Sequence, residues 1–358
     1  MNYLNIVELN LFRSHTMNAI LNSTASKRTY MKTLYSINRS NHTLMIRSIH
    51  ACLVGLLLTL LIQPEITHAQ NLRIAVISDI NGRYGSSEYN PRLARAIAQI
   101  IELKPNLVIS TGDMVAGQRP VPKLTRTELE EMWNSFHKEV RLPLETAGIP
   151  LLMTPGNHDA SGYAGYELER DIYNEYHLNH PQRLQPLPGG NYPYYFATEY
   201  EGTLLVSLDA TRSGTLDFAQ RTWLSETLPA QDGNPIIVFG HLPLQAVATG
   251  REQDIVNDPE LERLLATHNV AAYLSGHHHA WYPGERLDIA MISIGNLGGN
   301  QRSLVGTAIK TGFSFALLEL DEAGISHITA YTGPDFQQPI DDQALPPRLG
   351  WDLERINP

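Results

Sequence analysis

The sequence predicts an α/β fold built on a mainly parallel sheet. Short apolar runs of strand length alternate with stretches of helical spacing, and several of those runs stop abruptly at Gly, Asp, Asn or His. No internal repeat or low-complexity tract interrupts the alternation. Strands that alternate with helices need crossover connections, and crossovers make neighbouring strands parallel.

The first strand is Leu72-Arg73-Ile74-Ala75-Val76-Ile77-Ser78, which ends at Asp79. Residues 91–103 have helical spacing: Pro91 suits a first turn, and Leu93, Ala96, Ile97, Ile100 and Ile101 share one face. Leu107-Val108-Ile109-Ser110-Thr111 is a second strand, ending at Gly112-Asp113. Residues 125–140 read as a helix opened by Thr125 or Thr127. The run Ile149-Pro150-Leu151-Leu152-Met153 empties into Thr154-Pro155-Gly156-Asn157-His158-Asp159. A turn accounts for Pro155, Gly156 and Asn157, but not for His158 and Asp159.

Further on, Thr203–Leu208 ends at Asp209, and Leu216 to Leu228 is helical. Pro235–Gly240 ends at His241-Leu242-Pro243, residues 258–267 are helical, and Val270–Ser275 ends at Gly276-His277-His278-His279. Phe313–Leu320 and Ile325–Tyr331 flank Asp321-Glu322-Ala323-Gly324, a hairpin signal, and the Pro-rich tail from Asp335 is expected to wrap the surface.

In open parallel sheets, ligands gather at the carboxyl ends of strands. Here those ends carry Asp79, Asp113, Asn157-His158, His241 and His277/His279. Asp, Asn and His without Cys form a nitrogen and oxygen donor set suited to Zn, Mn, Fe or a similar divalent ion. The donors are too many for one ion and suit two ions about 3.5–4 Å apart, the spacing that clamps the attacking and leaving oxygens of a phosphoryl transfer. A carboxylate such as Asp113 has two oxygens with which to bridge, Asn157 offers only its amide oxygen, and His158 is left free to act on a substrate.

With these residues in place, the chain resembles the calcineurin-like metallophosphoesterases. Their motif order is Asp-x-His, Gly-Asp-x-x-Asp, Gly-Asn-His-Asp/Glu, a lone His, and Gly-His-x-His. This sequence has Asp79-Ile80-Asn81, Gly112-Asp113-Met114-Val115-Ala116, Gly156-Asn157-His158-Asp159, His241-Leu242-Pro243 and Gly276-His277-His278-His279, over roughly residues 72–295. The resemblance implies two packed mixed β-sheets flanked by helices, a four-layer α/β/β/α sandwich. It also implies two divalent metal ions (Mn, Fe, Zn or Mg). Asp79 and His279 would hold the first, with Asn81 beside them; Asp113 would bridge; and Asn157, His241 and His277 would hold the second. His158 would act on the leaving oxygen with Asp159 orienting its ring, and a metal-bound hydroxide would attack phosphorus. The implied activity is hydrolysis of a phosphorylated small molecule or phosphodiester.

Two positions depart from the pattern. Asn81 stands where His is usual and replaces an imidazole with a weaker, neutral donor; Ala116 stands where Asp is common. These departures suggest the rival reading, a metal-binding protein without turnover, whereas His158-Asp159 argues for turnover.

Around the core motifs, His278 is expected to point away from the site and serve structure. Asp209 is either a loop cap or a partner that supports the ligands. Arg83, in Gly82-Arg83-Tyr84-Gly85-Ser86-Ser87, is a candidate phosphate contact or a surface loop residue. The tyrosines between Tyr163 and Tyr200 either line a substrate wall or, as preferred here, cover a sheet edge. Gly295, Gly298 and Gly299 are expected to turn the chain near the site.

Composition sets the outer limits. Arg47 precedes the twelve uncharged residues Ala51–Ile62, and a small residue, Ala69, follows. Residues 45–69 are therefore expected to be a secretory signal cleaved after Ala69, the alternative being an uncleaved membrane anchor. Residues 1–44 read as an N-terminal extension, for which a mis-called start, with translation beginning at Met45, is one explanation. The domain is expected over residues 70–334, with a tail over 335–358, exported to the periplasm or outside the cell and without stable membrane association after cleavage. Cys52 is the only cysteine, so the exported chain would rely on its core and not on disulfides. The whole chain has a net charge of −10, although residues 1–69 are net basic, so the remainder is more acidic still. Such a surface argues against non-specific nucleic-acid binding.

Overall fold

A computed structural model of the chain describes residues 72–356 apart from 231–232 and 322–323. The expected signal segment, Cys52 and the N-terminal extension lie outside the described residues. The strands are β1 (Leu72–Ile77), β2 (Leu107–Ser110), β3 (Leu151–Met153), β4 (Phe196–Tyr200), β5 (Thr203–Ser207), β6 (Ile236–Phe239), β7 (Ala272–Ser275), β8 (Tyr282–Arg286), β9 (Ile289–Ser293), β10 (Phe315–Asp321), β11 (Gly324–Thr332), β12 (Gln338–Pro339), β13 (Arg348–Leu349) and β14 (Leu353–Arg355).

They form two mixed sheets with flanking helices. One runs β12-β11-β10-β1-β2-β3, with β1, β2 and β3 parallel and β10 antiparallel to β1. The other runs β13-β14-β8-β9-β7-β6-β5-β4, with β5, β6, β7 and β9 parallel. Alternation along the first sheet explains why two layers pack on it. Ile74, Val76, Ile109 and Leu152 point into one core shared with Leu205, Val238 and Leu274 of the second sheet. Ala75, Ile77, Val108 and Met153 point the other way, into a core shared with the helices. Both faces are buried, so these strands read as unbroken apolar runs.

The helix Arg92–Leu103 buries Leu93, Ala96, Ile97 and Ile100, the predicted face. Thr125, not Thr127, opens the next helix: its hydroxyl accepts from Glu128 N while Glu128 reaches back to Thr125 N. That helix, Arg126–Phe136, runs on through a wide turn at His137–Arg141 into Leu142–Thr146, beyond the expected end at residue 140. Pro143, which has no N–H to donate, comes just after the wide turn.

The helix Glu167–Asn179 was not foreseen, and it corrects the reading of the tyrosines. Tyr173 and Tyr176 are buried on its inner face with ring centroids 5.7 and 4.5 Å from that of Trp133, so they fill the helix layer instead of covering a sheet edge. The tail does more than wrap the surface, since β12 extends the first sheet and β14 pairs with β8 in the second.

Candidate metal centre

Strands from both sheets empty into one place. Asp79 follows β1, Asp113 follows β2 and Asn157 follows β3; His241 follows β6, and His277 and His279 follow β7. The backbone turns sharply at these points, with positive φ at Asp79 (48°), Asp113 (58°), His277 (62°) and His279 (51°). Left-handed backbone costs a non-glycine residue about 1–2 kcal/mol, and its recurrence at these positions marks a site that the surrounding fold holds by force. Gly156 is required by proximity: a Cβ there would collide with the backbone N and carboxylate of Asp113.

The donors converge. Ligand atoms of Asp79, Asp113 and His241 all lie within 4.8 Å of one another. His241 Nδ1 lies 2.9 Å from Thr111 O, and that carbonyl requires a ring proton on Nδ1, so Nε2 is the atom that faces inward. Around this Nε2 stand Asn157 Oδ1 at 3.0 Å, His277 Nδ1 at 3.2 Å and Asp113 Oδ1 at 3.3 Å. The second group is built the same way. His279 Nδ1 faces Asn300 O at 2.7 Å, which turns its Nε2 lone pair towards Asp79 Oδ1 at 3.1 Å. The other carboxylate oxygen of Asp79 accepts from Ser78 Oγ at 2.7 Å and His277 N at 2.9 Å, while Oδ1 is buried and receives no directed hydrogen bond. Without metal, a proton on His241 Nε2 sits among these crowded oxygen and nitrogen donors; a divalent cation in its place would satisfy all of them at once. The residues present therefore fit divalent metal.

The charges reflect this arrangement. Burial alone would raise the Asp79 carboxyl, but His279, His241 and Ser78 hold it well below the usual carboxylate range. Burial likewise opposes ionisation of Asp113, and His241 and His158 overcome it and lower the carboxyl. Burial disfavours charge on His241, yet Asp113 and Asp79 raise it to about 9. Burial and the neighbouring His241 push His277 well down.

Asn81 is buried beside this group, with its side-chain NH2 donating to Val115 O at 3.2 Å, so Oδ1 is the atom it has left to offer. His158 stands at the rim. Its Nδ1 is 2.8 Å from Gly117 O and its Nε2 is 3.8 Å from Asp113 Oδ2, while its backbone N donates to Asp113 Oδ1 at 2.9 Å. The expected contact between Asp159 and the His158 ring is corrected here. Asp159 accepts from the backbone N of Asp113 (2.7 Å), Val115 (2.9 Å) and Gly156 (2.8 Å), and Gly117 O is what holds the ring. Burial and the Asp113 charge push the Asp159 carboxyl up to about 7 in spite of those amides.

Asp209 lies outside the cluster. It pairs with Arg170 at 2.7 Å, and Arg170 donates to Ala160 O at 2.8 Å, so Asp209 braces the short helix Asn157–Ala160 from behind. Arg83 is exposed on its loop. The neighbour that reaches the site is Tyr84, with its ring centroid 5.2 Å from that of His158. His278 is buried and turned away: its Nδ1 accepts from Val247 N and Ala248 N, and its Nε2 faces Asp254 O. Gly298 closes on the site as expected, since its N donates to Asp79 O at 2.7 Å and a Cβ there would meet Asn81 O.

Three further residues went unrecognised in the sequence. Arg302 donates to His277 O at 2.9 Å and lies close enough to interact with the charges of Asp79 and Asp113. Gln118 accepts from Asn157 Nδ2 at 2.7 Å. Glu169 accepts from Gln118 N at 3.0 Å, and burial pushes its carboxyl up to about 7 against the opposing pull of that amide and Lys123. None belongs to a short motif; only Arg302, a few residues beyond Gly299, had a nearby signal.

The family model of the calcineurin-like phosphoesterases matches residues 72–281. No curated protein sequence matches the chain. Among solved structures, the chain is similar to purple acid phosphatase PPD1 from yellow lupin (Lupinus luteus) seeds, at 18% identity over 74% of this chain and 52% of that one, with a TM-score of 0.54. It is also similar to a dimetal phosphatase from Danio rerio, at 17% identity over 73% of this chain and 95% of that one, with a TM-score of 0.51. The chain thus spans about half the length of the lupin protein. At these identities the likeness is one of fold.

Proposed function

Because the chain belongs to the calcineurin-like phosphoesterase family, we propose that its buried cluster holds two divalent cations and hydrolyses a phosphoester, monoester or diester. The observation that carries this reading is the pair of inward-facing donor groups with His158 at their rim. Asp79, Asn81 and His279 would serve one ion, Asn157, His241 and His277 the other, and Asp113 both. The donor set holds no thiolate, which suits Mn, Fe, Zn or Mg. Two bound cations supply a water deprotonated near neutral pH and offset the charge of the phosphoryl group.

The chain's own groups do the rest. Burial of the carboxylates keeps water from competing for the donors. Gly117 O holds the His158 Nδ1 proton, so the ring presents Nε2 to the site and, when doubly protonated, can give that proton to the leaving oxygen. Tyr84 stands against the outer side of the same ring. In the same reading the chain is exported, on the strength of the signal-like residues 45–69; an intact 45–69 segment in the mass spectrum of the native protein would favour an anchor instead.

The test is an assay of the chelated protein on nitrophenyl phosphate and bis-nitrophenyl phosphate with Mn, Zn, Fe or Mg added back. Hydrolysis of at least one ester, restored by metal, is expected. Metal uptake with no turnover on either ester would move the protein to the rival reading, a metal binder without catalysis, which the departures at Asn81 and Ala116 motivate.

A further inference from the structure

Asn157 can serve a cation only with its amide turned one way, and nothing in the amide's shape decides that orientation. Flipped, its Nδ2 would point at His241 Nε2 and set a donor where a cation needs an acceptor. We propose that Gln118 is the positioning residue that prevents this flip. The proposal rests on the dimetal reading above.

A relay of hydrogen bonds sets the direction. Ser161 Oγ accepts from Tyr163 N at 3.2 Å and from Gln118 Nε2 at 3.0 Å. With its NH2 engaged on Ser161, Gln118 turns Oε1 to Asn157 and accepts from Nδ2 at 2.7 Å. Asn157 Oδ1 is thereby left facing His241 Nε2 at 3.0 Å. Gln118 itself is fixed by its backbone: it sits at φ 63°, and its N donates to Glu169 Oε1 at 3.0 Å. A side chain held at a strained backbone position, with both ends of its amide engaged, is placed to orient a ligand.

The experiment is calorimetric titration of the chelated protein with Mn2+, comparing wild type with Gln118→Ala and Gln118→Glu. Loss of such an orienting partner typically weakens metal binding by about 10–100-fold, so Gln118→Ala is expected to weaken one of the two binding events to that extent and spare the other. Gln118→Glu, which can only accept from Asn157, should bind at least as tightly as wild type. Both variants carry the same backbone strain, so their difference reads the side chain, and the Glu variant decides the matter if the Ala variant does not fold. In an Asn157→Asp background, whose carboxylate has no donor end to flip, Gln118→Ala should change affinity by less than about 2-fold, the mark of coupling between the two positions. Unchanged binding in Gln118→Ala, equal losses in the Ala and Glu variants, or the same loss in both backgrounds would each overturn the role while leaving the dimetal reading intact. A wild-type protein that takes up fewer than two ions would overturn the reading and the role together.

Discussion

His241 Nε2 and Asn157 Oδ1 stand 3.0 Å apart, each delivered by a different sheet. Thr111 O accepts from His241 Nδ1, so that Nε2 is the nitrogen facing inward, and Gln118 turns the Asn157 amide so that its oxygen faces back. Asp113 Oδ1 lies beside them, 3.3 Å from the same nitrogen, and the proton that His241 holds without metal stands where a cation would take its place.

Metal should therefore stabilise the fold as well as enable it to act. Ligand at 100 times its dissociation constant adds about 2.7 kcal/mol per site, so saturating Mn2+ is expected to raise the melting temperature of the chelated protein. Elemental analysis should then find two ions per chain, with the Asn81 side emptying first on mild chelation. One ion or none at saturation would count against the dimetal proposal.

Asn157 and His158 are neighbours in sequence but should fail differently. Asn157→Ala removes a donor oxygen, so its lost activity should return in part when metal is raised. His158→Ala leaves the donor groups in place and removes the ring at the rim. Metal content should hold while turnover falls by about 10²–10⁴-fold, the usual worth of a positioned acid. The loss should shrink on nitrophenyl esters, whose leaving oxygen needs little protonation. Metal loss in step with activity would instead make His158 a ligand.

Asp159→Ala should resemble neither. Its carboxylate accepts from three backbone amides around Asp113 and Gly156. An orphaned buried donor costs about 1–3 kcal/mol, so urea unfolding should show a loss of several kcal/mol, and metal binding should weaken as the Asp113 turn loosens. A fully stable variant with only a slowed turnover would restore Asp159 to a role on the His158 ring.

Glu169 supplies a pH dependence. Its carboxyl is raised from 4.5 to about 7 by burial, so the folded state holds the proton more tightly than the unfolded chain does. Its contribution is favourable at low pH and is lost as pH rises from about 4.5 towards 7. Glu169→Gln retains an oxygen to accept from Gln118 N and cannot ionise. By urea unfolding of the chelated protein, the variant should match wild type near pH 4.5 and exceed it by a few kcal/mol near pH 8. Equal stability at both ends would show that Glu169 ionises freely in the fold.

The strands and their polar ends were legible because one signal carries both: a buried parallel strand reads as an apolar run, and a ligand at its end interrupts the run. Asp79, Asp113, His241 and the His277/His279 pair were visible in this way, with Asn157 marked by the Pro-Gly turn before it. The helix Glu167–Asn179 was obscured because its inner face sets Glu169, Tyr173, Tyr176 and His177 beside a single aliphatic residue, Ile172, which weakens the apolar period. Gln118, Glu169 and Arg302 escaped notice because they act through single hydrogen bonds to partners far along the chain or on a loop. No spacing rule announces such contacts. The misassigned contact of Asp159 has a similar cause: sequence adjacency to His158 suggested a ring partner, but the helical turn at Asn157–Ala160 sends its carboxylate back to the amides.

The cluster is also a seam. Asp79, Asp113 and Asn157 hang from one sheet, and His241, His277 and His279 from the other. An ion lodged between them would tie together segments 84 or more residues apart and act as a removable rivet across the sandwich. Its loss would remove a tie between the two sheets at their strand ends. Amide protons at the ends of β2 and β6 would report it, exchanging faster when the rivet is out.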